Sequence, residues 1–210
     1  MVNKNSKEKA FTLAEVLITL GIIGIVAALT LPALIQNYRK QEVTTRLKKY
    51  NSMMSQAFLL SEVENGKVSG WDASDPKKFF DNYLSQYIKN IGSEEVPEFD
   101  NHQTWYKVIF ADGSVSYNYA PINGAECVDF MFDVNGEKNP NKGGIDRFRF
   151  IYCTDSSRNY GKPDSWSSFY RRNETNIETR LQRCKNNGYE CSGYLEMNNW
   201  EIDRNYPYKL

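Results

Sequence analysis

The 210-residue chain reads as an α+β protein: one long N-terminal helix packed on a small antiparallel sheet, with extra short helices. Three observations lead there. A charge-free run from Val16 to Ile35 passes into a stretch whose apolar residues recur every three to four positions, the period of a helix face. Between Trp105 and Cys153, apolar and polar residues alternate on either side of an Asp112-Gly113 turn signal. Helical and strand patterns are also segregated along the chain, the order that suits α+β.

The apolar run comes first. Its twenty residues, at about 1.5 Å each, are long enough to cross a bilayer as a helix. Glu15 stands at its very start. A carboxylate at the edge of hydrocarbon is costly, and by default it points to function. The first ten residues carry Lys4, Lys7 and Lys9 against Glu8. A short basic flank stays in the cytoplasm, so the N-terminus is expected inside and the bulk of the chain outside. A secretory signal peptide is one alternative, but the run is too long for one and no clean A-x-A site follows it. A plain membrane anchor is another. Neither accounts for Glu15.

The stretch KAFTLAEVLITLGIIGIVAALTLPAL, from Lys9 to Leu34, supplies a third reading. A basic leader, a small residue, then Phe-Thr-Leu-x-Glu and an apolar helix resemble the N-terminus of type IV pilins and type II secretion pseudopilins. That resemblance implies a pilin-like fold, cleavage by a prepilin peptidase between Ala10 and Phe11, and methylation of the new Phe11 amine. Ala10 stands where the family usually has Gly. Glu15 becomes the fifth residue of the mature chain, and the resemblance implies that it meets the N-terminal amine of a neighbouring subunit in a filament. A carboxylate and an amine, each costly alone in lipid, partly neutralise one another. The alternative is an interfacial Glu15 reaching to headgroups.

The organisation expected is a leader at 1–10, a membrane and filament-core helix at 11–35, its amphipathic continuation at 36–66, and an extracytoplasmic globular domain at 67–210. Pro32 should kink the helix. Val43, Leu47, Tyr50, Met54 and Phe58 form the buried stripe, with Arg39, Lys40, Arg46, Lys48 and Lys49 on other faces. Gly66 and Gly70 end the helix. A second helix follows, with Asp75 as N-cap and Pro76 at its first position, stopping before Gly92. Strands are expected on both sides of Asp112-Gly113, in ECVDFMFDV and in DRFRFIYC. A short helix follows, capped by Asn173 and ended at Gly188. The tail from Tyr189 has no clear pattern.

Four cysteines, Cys127, Cys153, Cys184 and Cys191, all follow the apolar run, and four allow three connectivities. Cys184 and Cys191 straddle a predicted helix end, while Cys127 and Cys153 begin and end predicted neighbouring strands. Pairing 184–191 and 127–153 is therefore favoured, in an oxidising compartment. Zinc is the alternative, but close C-x-x-C pairs are missing. In DVNGEKNPNKGGID, Asp133, Asn135 and the Glu137 carbonyl alternate as in oxygen-rich calcium loops, and Asp146 could close such a site. The spacing is not that of an EF-hand, and a metal-free turn explains the same Asn, Gly and Pro.

No cofactor is required by this reading, and calcium is a candidate ion. The lone histidine, His102, sits in a polar stretch, and no nucleophile elbow, P-loop or HExxH motif occurs. The chain therefore reads as a structural subunit, not an enzyme. Its expected partners are copies of itself or other pilins, a prepilin peptidase, the assembly platform and the membrane. The competing reading is a minor pilin that binds DNA or acts as an adhesin. A formal net charge of zero argues against nucleic acid.

Overall fold

The structure, a computed structural model, describes residues 11–96, 105–119, 127–153, 160–161, 165–171 and 173–210. Two compact units make up the chain, Met1–Gln41 and Glu42–Leu210. Helix α1, Leu13–Asn65, contributes to both.

In the first unit, α1 is long and apolar enough to cross a membrane, and no residue of its most apolar stretch is buried. Ile18, Ile22 and Ile25 all stand exposed. Pro32 lies inside the helix.

In the second unit, α1 buries Val43, Leu47, Tyr50, Met54, Ala57, Phe58 and Ser61. These are the expected stripe plus two small residues that let the helix approach the sheet. Full burial of each large side chain is worth roughly 1.5–3 kcal/mol. The helix ends at Asn65, and Gly66 follows at φ +74°, the left-handed conformation that glycine adopts without strain.

Helix α2, Pro76–Phe79, starts as its sequence predicts: the Asp75 carboxylate accepts from the Lys78 N–H at 3.0 Å, and Pro76 occupies the first helical position. It runs on as a wider π turn, Phe80–Leu84. Phe79, Phe80, Leu84 and Ile88 are buried.

The sheet is a six-stranded antiparallel meander in chain order. Its strands are β1 (Gly92–Val96), β2 (Trp105–Ile109), β3 (Val115–Tyr119), β4 (Cys127–Asp133), β5 (Arg147–Cys153) and β6 (Ser165–Ser168). The β2–β3 hairpin turns where Asp112-Gly113 signals it. Gly113 takes φ +81°, and Asp112 Oδ1 accepts from Ser114 N at 3.1 Å and Oγ at 2.6 Å. Register sorts the side chains. Val128, Phe130 and Phe132 pair across to Tyr152, Phe150 and Phe148, and all six join the core beneath α1. Tyr50 stacks on Phe132 at 4.0 Å and Phe58 on Tyr152 at 4.4 Å.

Helix α3, Ile177–Asn186, is capped by Asn176, whose side chain accepts from Thr179 N at 2.9 Å. The expected cap, Asn173, lies one turn too early. Between them the Glu174 carboxylate accepts from Arg171 N and pairs with Arg183, which holds the chain in a turn. A 3-10 turn, Gly188–Glu190, leads into α4, Cys191–Met197. The tail then packs inward, burying Tyr206 and Leu210. Tyr206 Oη donates to Gly144 O at 2.6 Å and Tyr208 Oη to Cys184 O at 3.0 Å.

Candidate processing and assembly site

The candidate site is the start of α1. Ala10 and the leader lie outside the described residues, as does His102. Phe11 is 86% exposed. Thr12 and Glu15 form a reciprocal cap. Thr12 N donates to Glu15 Oε2 at 2.8 Å, Thr12 Oγ1 donates to the same oxygen at 2.8 Å, and Glu15 N donates to Thr12 Oγ1 at 3.2 Å. This is a capping box, in which the cap residue and the third helical residue satisfy each other's orphan N–H groups. Its sequence signature, Thr-x-x-Glu before an apolar run, stands in Thr12-Leu-Ala-Glu15 and is the signal that the reading of Glu15 as a purely intersubunit group missed. Glu15 Oε1 makes no hydrogen bond among the described residues, so one oxygen stays available.

Asp133, Asn135 and Asp146 come together in the turn between β4 and β5, but the carboxylate oxygens of Asp133 and Asp146 are engaged. Asp133 accepts from Arg147 Nε at 2.8 Å and from Asn135 N at 3.3 Å. Asp146 accepts from the N–H groups of Asn141 and Lys142 at 2.8 and 2.6 Å. Donors thus face the carboxylates where a cation would sit. The donor set does not fit calcium in this arrangement, and no cluster of three or more acidic, His or Cys side chains able to hold a metal exists among the described residues. Burial pushes the Asp133 carboxyl up to about 6, against the pull of Arg147.

Both favoured disulfides are present, Cys127–Cys153 and Cys184–Cys191. Cys127 and Cys153 are direct cross-strand partners on β4 and β5. Cys184, on α3, and Cys191, at the start of α4, clamp the turn between the two helices. No thiol remains free for zinc.

A long helix, capped at its start by Thr12 and Glu15, precedes a six-stranded antiparallel sheet. Residues 5–31 match the model of the prokaryotic N-terminal methylation motif, the leader signature of type IV pilins and pseudopilins. The chain thus carries a leader of that kind, and its leader and apolar helix fit membrane anchoring. The remainder belongs with it in one chain: residues 33–210 match a family of unknown function, DUF6613, and the protein is a member of that family. No curated protein and no solved structure matches it.

Proposed function

We propose that the protein is a structural subunit of a type IV pilus or a type II secretion pseudopilus. The methylation motif carries this reading. The leader stays in the cytoplasm, the helix from Phe11 holds the subunit in the membrane, and the second unit faces outside. Two disulfides in that unit support the orientation, because such bonds persist in oxidising compartments. A prepilin peptidase cuts between Ala10 and Phe11, and the new amine is methylated. Thr12 keeps its amide N–H after that cut, so the capping box survives processing. Glu15 Oε2 then remains on Thr12, and the free Oε1 takes the Phe11 amine of the next subunit. One carboxylate thereby starts its own helix and sets the register of its neighbour.

Glu15→Ala and intact mass test this together. Native mature chain should begin at methylated Phe11. The Glu15→Ala chain should still insert and be cleaved, yet yield no sheared filament, because an incoming amine would enter lipid unpaired at a cost of several kcal/mol. Glu15→Gln should fail less completely. A native chain retaining Ala10 in a peptidase-competent host, or normal filament yield from Glu15→Ala as the sole copy, would refute the proposal.

A further inference from the structure

A cavity of about 270 Å³ opens in the second unit between α1 and the β2–β3 turn. Its floor is apolar: Tyr50 and Met53 from α1, Phe110 and Phe132 from the sheet. Its rim is cationic, with Arg46, Lys49 and Lys89 against a single acid, Asp112. The charges are not equally occupied. Arg46 is spent on Glu42 at 3.0 Å and on the carbonyls of Asp112 and Val134 at 2.9 and 2.8 Å. Lys49 pairs with Asp112 at 2.8 Å, and its ammonium together with the Ser114 hydrogen bonds outweighs partial burial and holds that carboxyl down at about 2. Lys89 has no hydrogen-bond or ion-pair partner among the described residues.

One cation without a partner among the described residues, on the rim of an apolar floor, selects a ligand class. Apolar walls give water few partners, so the floor favours hydrocarbon. A cavity of about 150 Å³ takes one benzene ring, and this one takes a ring or branched chain with a short tail. Pockets of this size that bind small molecules combine an apolar lining with a few polar groups that fix orientation. We propose that this cavity binds a small anion on an apolar body, with the anionic group at Lys89 and the hydrocarbon on Tyr50, Met53, Phe110 and Phe132. The inference stands on the second unit alone and does not depend on filament assembly.

The probe is 3-phenylpropionate, with its neutral amide as control. Each is titrated against the full chain in phosphatidylcholine nanodiscs by saturation-transfer NMR, with empty discs subtracted. A ligand of about a dozen non-hydrogen atoms should bind in the millimolar range. At low salt the carboxylate should bind roughly three- to fivefold tighter than the amide, the scale of one exposed ion pair. Lys89→Gln should abolish that preference and leave amide binding intact. Met53→Trp, which fills the floor, should weaken both ligands. Equal affinities for carboxylate and amide, a preference that survives Lys89→Gln, or saturation by neither ligand at millimolar concentration would overturn the proposal.

Discussion

Thr12 and Asp133 show how much one side chain can decide. Replacing Thr12 with Val keeps the shape and removes the acceptor for Glu15 N and the hydroxyl donor to Glu15 Oε2, leaving only the Thr12 N–H on that oxygen. Loss of an N-cap costs about 1 kcal/mol, so amide exchange at Glu15 and Val16, whose N–H groups bond Thr12, should quicken severalfold while the rest of α1 is unchanged. Asp133 is the opposite kind of residue, fully buried beside Arg147. Its carboxyl titrates near 6 when folded, above the 3.8 of a free Asp. Between those values the folded state holds a proton that the unfolded chain has lost. This stabilisation is therefore complete below about pH 4 and disappears as pH rises through about 6. The span is worth up to about 3 kcal/mol. Asp133→Asn should flatten that slope, which urea midpoints measured at about pH 4.5 and about pH 7 will register.

At the scale of elements, the two disulfides should differ in worth. Cys127–Cys153 closes a separation of 26 residues and Cys184–Cys191 one of 7. Chain entropy gives about 3.5 and about 2.4 kcal/mol respectively, so the double Cys→Ala variant of the first pair should lose about 1 kcal/mol more in urea unfolding. Both pairs were legible because each joins features with strong local signals: strand ends for one, a helix end for the other. The stripe from Val43 to Phe58, the Asp75-Pro76 start and the Asp112-Gly113 turn were legible for the same reason. Two strands were not. Gly92–Val96 carries Glu94 and Glu95, and Ser165–Ser168 has three serines around Trp166, neither of them a strand former's composition. They are strands because they pair at the two edges of the meander, where polar residues are tolerated. The tail was opaque because Tyr206 and Tyr208 are fixed by carbonyls far away in sequence, at Gly144 and Cys184. Gly144 belongs to that docking: at φ +78° a side chain there would be strained and would overlap the Tyr208 ring. The candidate site was half legible. Its leader and Glu15 were read from a motif, whereas the bond that spends Glu15 Oε2 on Thr12 was missed, because its Thr-x-x-Glu signature becomes a cap only where the helix begins after Thr12.

At the scale of the whole molecule, α1 serves two compact units whose physical demands differ. Its first part is charge-free from Val16 to Ile35 and buries nothing, whereas its second buries one stripe. The boundary falls after Gln41, and the first buried residue of α1 is Val43. Every core residue of the second unit therefore lies within Glu42–Leu210, together with both disulfides. A chain cut to Glu42–Leu210 should fold alone, stay in solution without detergent, and unfold in urea at the midpoint of the same unit in the full chain. It exposes new backbone only at the first turn of α1, where fraying costs little. A cut to residues 53–210 makes the contrasting test. It deletes Val43, Leu47 and Tyr50, and Tyr50 alone contacts the rings of Phe110, Phe132, Phe150 and Trp166. Truncating one large core side chain costs about 2–5 kcal/mol, against a total stability of about 5–15 kcal/mol. Losing three should leave no cooperative transition. Gel filtration, near-ultraviolet dichroism and urea unfolding of the two fragments will decide it. If the 42–210 fragment aggregates with its disulfides formed, the apolar half of α1 is needed for the fold as well as for anchoring, and the division of labour along this helix is wrong.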